Sequence, residues 1–254
     1  MKSLHTYINE WKYTSNTDVR DEIVPTEFPK TTEELFNIIA LRLKDNIEEP
    51  YLLDIDTSKI KSMENLFSNH ESDYLYQNFL IKTWDIKVLD LHTWDTSNVE
   101  HMGGMFYRCG KLKKVILSSF NTKKVWSMDS MFQGCQTIET IDISNFNTSG
   151  LTSSDSMFSE CTYLKEIKMG NFDMSKNTNM NYMFSQCENL KTIIGNIDNW
   201  NVENVIGMKE MFNFCQDLRG INVNEWQLNK KAQTHYMFYY CNKSIVPKWY
   251  KDPI

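Results

Sequence analysis

The most constraining feature of this chain is a ruler. A Met-Phe pair recurs at Met105, Met131, Met157, Met183, Met211 and Met237, with spacings of 26, 26, 26, 28 and 26 residues. Eleven residues before each Met stands a large aromatic: Trp94, Phe120, Phe146, Phe172, Trp200 and Trp226. Three before it the chain reads Met102, Met128, Ser154, Met180, Met208 and Thr234. Four after it come Cys109, Cys135, Cys161, Cys187, Cys215 and Cys241. An L-x-x-I-x-[LIV]-like run follows, as in "LKKVIL", "IETIDI", "LKEIKM" and "LRGINV". A period of this size makes each copy one turn of a stacked coil, because a single copy cannot bury its apolar side alone.

A seventh, eroded copy precedes the six. In "IDTSKIKSMENLFSNH", Ile55 takes the aromatic place and Met63 the second Met place. Leu66 and Phe67 take the Met-Phe place, and His70 stands where Cys would be. The distance from His70 to Trp94 exceeds the usual gap by about 13 residues, which places an insertion near residues 71–83. The L-x-x-I-x-L run alternates like a short strand in its second half, so neighbouring copies would pair there as a parallel sheet. Val99, Met102, Met105 and Phe106 are offset by 3, 3 and 1, a helical spacing. Asn, Ser and Thr after the aromatic form turns and N-caps. The expected coil is strand, turn, then a short helix or 3₁₀ segment. Fourteen Met and 13% aromatic residues supply large side chains for the interior of such a stack.

The stretch "SSFNTKKVWSMDSMFQGCQTIETIDISNFNTS" resembles the BspA-like branch of the leucine-rich-repeat superfamily. More closely, it looks like a 26-residue bacterial surface-protein repeat of the form F-[ND]-T-S-x-V-x-x-M-x-x-M-F-x-x-C, and the likeness runs from about Ile55 to Cys241. The resemblance implies an α/β repeat: a right-handed leucine-rich-repeat-like solenoid with one strand and one short helix per coil. It also implies a job in adhesion or macromolecular interaction, since members of that branch are mostly secreted or surface-anchored. The residues that carry the likeness are core residues, so it names no substrate and no partner.

Stacks need caps, because a terminal coil would otherwise expose core and sheet edge. In "FPKTTEELFNIIALRLKDN", Thr31 and Glu34 form a capping box after Pro29, and Leu35, Ile38, Ile39 and Leu43 give one apolar face. "SIVPKWYKDPI" reads as a short closing strand. Leu4, Tyr7, Ile8 and Trp11 would line a short amphipathic helix. The organisation expected is an N-terminal segment and helical cap over residues 1–50, about seven repeats over 51–241, and a C-terminal cap over 242–254.

Met-Phe-x-x-Cys could be chemistry or architecture. Cys and Met suit a soft metal such as Cu(I), and six Cys are an even set for disulfides. Against both, ligands normally cluster at short spacing and no CxxC occurs. A Cys repeated once per coil is instead a small buried hydrophobe filling the same gap each time, with Met as adaptable filler. The expectation is architecture, free thiols in a reducing compartment, and no cofactor. The five His are scattered, and no P-loop, G-x-S-x-G, HExxH or GxGxxG occurs. The Gly pair in "HMGGMF" lies inside the repeat, a weak phosphate-loop signal. The formal charge of −6 gives no global attraction to nucleic acid or anionic membranes. No apolar run approaches the ~18 residues of a membrane span. "MKSLHTYINEW" lacks an apolar secretory core, so the chain is expected in a cytosol, with association to a virion or surface layer open.

Two features stand outside the core pattern. One strand position reads Lys87, Lys113, Glu139, Lys165, Lys191 and Arg219, which stacking would align into a basic stripe. Such a stripe recruits acidic partners or blunts edge pairing. The insertion "ESDYLYQNFLIKTW" brings Tyr74, Tyr76, Phe79 and Trp84, which would either contact a partner or fold back on the flank. The reading that follows is a non-enzymatic interaction module that binds a protein or a surface glycan. The alternative is a structural or assembly component of a virion or cell-surface layer.

Overall fold

The computed structural model describes residues 23–69 and 83–251. Each copy contributes two legs, and both bond to the equivalent legs of neighbouring copies. The first leg holds the strands β1 (Val88–Asp90), β2 (Lys114–Ile116), β3 (Thr140–Asp142), β4 (Glu166–Gly170) and β5 (Thr192–Gly195). β1 pairs with β2, and β3 with β4 and β4 with β5, all parallel. Val88 stands opposite Lys114, and Thr140 opposite Glu166, which stands opposite Thr192. The two-residue expansion before Trp200 is taken up by a register shift beside Gly170 and by a 3₁₀ turn, Ile197–Asn199.

The second leg carries Met-Phe-x-x-Cys, and its hydrogen bonding corrects the expected short helix. The N–H groups of Met102, Gly104, Phe106 and Arg108 donate to the carbonyls of Ser127, Asp129, Met131 and Gln133 in the next copy. The same four rungs recur down the stack, ending with Met208, Glu210, Phe212 and Phe214 on Gln233, His235, Met237 and Tyr239. The intervening N–H groups turn back locally: Met105 to Met102, Tyr107 to Gly104, Cys109 to Phe106. The leg is thus a run of tight turns with left-handed residues just before each Met and each Cys. Ser130, Ser156, Tyr182, Glu210 and Tyr236 occupy the first place at φ between 53° and 56°. Gly104 fills that place in its copy, at φ 61°.

Packing explains why turns win over helix. An α-helix would spend these N–H groups on its own carbonyls, so Met and the adjoining Phe, about 100° apart on it, could not face the interior and leave backbone bonds for the neighbouring copies at once. In the turn leg they do: Met105, Phe106 and Cys109 are fully buried, as are Met131, Phe132 and Cys135. Two left-handed residues cost roughly 1–2 kcal/mol each. Four inter-copy hydrogen bonds return about 0.5–1.5 kcal/mol each, and burying Met and Phe adds about 1.5–3 kcal/mol apiece. The Phe rings stack in one column from Phe67 through Phe106, Phe132, Phe158, Phe184 and Phe212 to Phe238, with centroids 5.1 to 5.8 Å apart.

The corner between the legs explains the F-[ND]-T-S stretch. Asp95, Asn121, Asn147 and Asp173 each accept, on a side-chain oxygen, the N–H two residues on. The buried hydroxyls of Thr96 and Thr122 reach across copies. Thr122 Oγ1 donates to Asn147 O at 2.9 Å and accepts from Asn147 N at 2.8 Å.

One α-helix occurs among the described residues, α1 (Thr32–Asp45), at the N-terminal end of the stack. Thr31 Oγ1 accepts from Glu34 N, and Glu34 Oε2 accepts from Lys30 N, one residue before the cap. Leu35, Phe36, Ile39, Ala40 and Leu43 are buried, and Ile38 is partly buried against the core. Arg42 Nη2 lies 3.0 Å from Asp54 Oδ2, and Thr26 Oγ1 also bonds Asp54. At the other end the expected closing strand is replaced by a 3₁₀ turn, Lys243–Ile245, which Asn242 caps through Ser244 N. Pro247 then removes a strand donor. Trp249 and Tyr250 pack edge-on against Phe238, and Trp249 Nε1 donates to Val223 O.

Candidate functional site

The Cys column comes first, because it carried the question of chemistry. Five of the six thiols cap the carbonyl of the Phe one copy back: Cys109 on Phe67, Cys135 on Phe106, Cys161 on Phe132, Cys187 on Phe158 and Cys215 on Phe184, at 3.0 to 3.2 Å, while Cys241 Sγ lies 3.6 Å from Asn242 O. No disulfide joins any of the six Cys, and all but the half-buried Cys241 are fully enclosed. Burial pushes the thiols of Cys109, Cys135, Cys161 and Cys215 well above their ordinary value, and that of Cys187 up to about 12. A protonated S–H donating to a carbonyl is a packing element, since nucleophiles and metal ligands are thiolates.

Among the other titratable groups, His92 Nδ1 lies 2.7 Å from Asp90 Oδ1. The same oxygen accepts His92 N, so the pair belongs to a tight turn, and no hydroxyl or thiol bonds the ring among the described residues.

The strand column assembles Lys87, Lys113, Glu139, Lys165, Lys191 and Arg219. Backbone N–H groups of Lys113, Lys165, Lys191 and Arg219 donate to the carbonyls of Lys87, Glu139, Lys165 and Lys191. Its charge is partly neutralised. Lys87 Nζ is 2.7 Å from Glu48 Oε1, and Lys165 Nζ is 2.8 Å from Glu139 Oε2. Arg219 Nη1 donates to the carbonyls of Gln216 and Leu218. Lys113 and Lys191 have no ion pair among the described residues. Exposed pairs of this kind contribute about 0–1 kcal/mol, so the column is a mixed-charge surface whose pairs a partner can exchange at little cost.

Tyr74, Tyr76 and Phe79 lie outside the described residues, as does the N-terminal stretch with Leu4, Tyr7, Ile8 and Trp11. Trp84 is described, and it sits on a 3₁₀ turn, Thr83–Asp85. That turn is tied down by Thr83 Oγ1 on Ser68 O, by Lys111 Nζ 2.6 Å from Asp85 Oδ1, and by Lys111 N on Trp84 O. The indole lies over Gly110, where an added Cβ would fall 2.1 Å from the ring. Other copies place Gln136, Thr162, Glu188, Gln216 and Asn242 here, so only this copy admits the Trp. Beside it opens a groove of about 240 Å³ lined by Asn69, Trp84, Arg108, Gly134, Gln136 and Glu160. Arg108 also lies 5.2 Å from the Tyr107 ring centroid. The groove offers an aromatic wall, a cation and a carboxylate. Arg108, Gly134 and Glu160 are the left-handed residues before the Cys in three successive copies. Their place could have been read from the 26-residue ruler, but the exposure of Arg108 could not.

A family model described as Mycoplasma protein of unknown function, DUF285, matches residues 74–196 and 165–245. Together these cover well over half of the chain, and the chain belongs to this family. No curated protein and no solved structure matches it. No helix among the described residues is long and apolar enough to cross a membrane.

Proposed function

We propose that this chain is a right-handed, BspA-like leucine-rich-repeat solenoid. Its job is that of a rigid, non-enzymatic interaction module that holds a protein, or a surface glycan, at the Trp84 groove and the adjoining strand column. One observation carries the reading. The side chains written once per copy are spent inside, with Met, Phe and Cys enclosed, while the groove is built where one copy departs from the pattern, at Trp84 over Gly110. An aromatic wall beside a cation and a carboxylate is the composition of a recognition surface. The family match is in keeping with the BspA-like resemblance.

The test compares the immobilised chain with an Arg108→Glu/Glu160→Lys variant, whose changes leave the core untouched. A protein or glycan retained by the first and lost by the second, at unchanged circular dichroism, is the expected result. Identical retention by both would retire the groove.

A further inference from the structure

The hydrogen-bond ladder of the second leg has an open end. In every inner copy, N–H groups three and one before the Met, and one and three after it, donate to the following copy. In the last copy those donors are Thr234, Tyr236, Phe238 and Tyr240, and none of the four has an acceptor among the described residues. They form a row with one donor at every second residue. A polypeptide backbone is the natural complement, since its alternate carbonyls share one edge.

The sequence on both sides of the row says what kind of polypeptide fits. Residues 227–254 carry Lys230, Lys231, Lys243, Lys248 and Lys251 against a single acidic side chain, Asp252, on a chain of formal charge −6. The five Lys are exposed, and none has an ion pair among the described residues. Tyr236 and Tyr240, in the row itself, are 47% and 61% exposed. Buried pairing of an unmade backbone hydrogen bond, aromatic contact area and a concentrated positive field all favour the same ligand.

We infer that the C-terminal end of the stack docks an acidic polypeptide segment from another protein, which lays its alternate carbonyls on Thr234, Tyr236, Phe238 and Tyr240 and its carboxylates among the Lys. This goes beyond the groove reading and does not rest on it. A second copy stacked head to tail does not meet the need. In the second leg of its first copy the outermost carbonyls of the acceptor set each hold a side-chain hydroxyl, Ser62 O that of Thr32 and Ser68 O that of Thr83, so α1 and the 3₁₀ turn at Thr83 are tied to both ends of that row.

The probe is a fluorescent peptide of residues 152–161, "TSSDSMFSEC", with Cys161→Ser; it has the shape of an inner leg and carries Asp155 and Glu160 without a base. Anisotropy is expected to rise on adding the full chain. The affinity should fall by roughly tenfold or more with a Lys230→Glu/Lys231→Glu/Lys243→Glu chain, or with a peptide bearing Asp155→Lys and Glu160→Lys. Amide exchange supplies the independent readout. Thr234, Tyr236, Phe238 and Tyr240 should exchange faster than Met208, Glu210, Phe212 and Phe214 in the free chain, and slow by about tenfold or more with peptide bound. No binding overturns the proposal. So does binding that leaves the four amides unprotected, and so does sedimentation showing that the chain's own copies occupy this end.

Discussion

At the scale of single residues, two adjacent copies break the apolar pattern at one place each, and the two places face each other. Ser154 stands where other copies have Met102, Met128, Met180 and Met208, and Asn177 stands where they have Val99, Val125, Leu151 and Val205. Both are fully buried, and Asn177 Nδ2 donates to Ser154 Oγ at 3.1 Å. Asn177 Oδ1 accepts from Asn179 N. The two polar residues are therefore partners, with Ser154 Oγ also donating to Met183 Sδ at 3.8 Å, and the two substitutions are coupled. Ser154→Met alone strands the Asn177 amide, and Asn177→Val alone leaves the Ser154 hydroxyl only its 3.8 Å bond to Met183 Sδ; the first should cost about 1–3 kcal/mol in urea unfolding and the second no more. The double variant restores the Met and Val of neighbouring copies. Asn179 N can then use the Thr152 carbonyl, as Ser153 N uses that of Trp126. It should be at least as stable as the parent, with a coupling energy of about 1–3 kcal/mol. Additive losses would show that the pair is not a unit.

At the scale of elements, the return from the insertion is held by the fit of one ring against one glycine. Gly110→Ala pushes a methyl group into the Trp84 indole and should cost about 1–3 kcal/mol by overpacking. Added to Trp84→Ala, the same change should cost little more than about 0.5 kcal/mol, because the clash has gone. Independent losses in the thermal or urea midpoint would mean that Trp84 does not pack there. Much of this level was legible in the sequence and some was not. The 26-residue ruler identified the side chains that share a column, since Met, Phe and Cys were read in register and stand in register. It did not distinguish a helix from a ladder of turns. Offsets of 3, 3 and 1 satisfy both, and most of the left-handed sites are filled by Ser, Tyr, Glu, Gln, Arg and Phe, with glycine only at Gly104 and Gly134, so no recurring glycine marks them. Thr after Asn was read as a turn former, whereas its hydroxyl bridges copies 25 residues apart. The groove was half legible. Trp84 was singled out, but Arg108 and Glu160 sit at variable positions whose exposure only the assembled coil decides. The Lys column was readable as a row, and its partial neutralisation by Glu48 was not, because Glu48 belongs to the segment before the first strand.

At the scale of the whole molecule, the ladder makes each copy answerable to its neighbours alone. Stability of such an array is a sum of copy and nearest-neighbour contributions. Whole copies are then removable and fractions of copies are not. Deleting residues 120–145 joins Ser119 to Phe146 and brings Thr96 opposite Asn147 in place of Asn121, the same residue type in the same place. Phe106 would meet Phe158, and Cys161 would find the Phe106 carbonyl that Cys135 now caps. The deletion spares the Ser154 and Asn177 pair and the Gly110 seat of Trp84. It should therefore fold cooperatively, with a urea m-value lower by about a tenth in proportion to the surface removed. The enclosed thiols should stay closed to alkylation. Deleting only residues 120–132 removes the aromatic, the Thr and the Met-Phe pair but leaves the following Cys. Every later copy then meets its neighbour out of phase, and ring faces strand where ring should face ring. That variant should lose its cooperative transition and expose its thiols. If both deletions were equally damaging, the copies would not be the units of the fold. If both were harmless, the inter-copy ladder would contribute little, and the open donor row at the C-terminal end would have nothing to offer a partner.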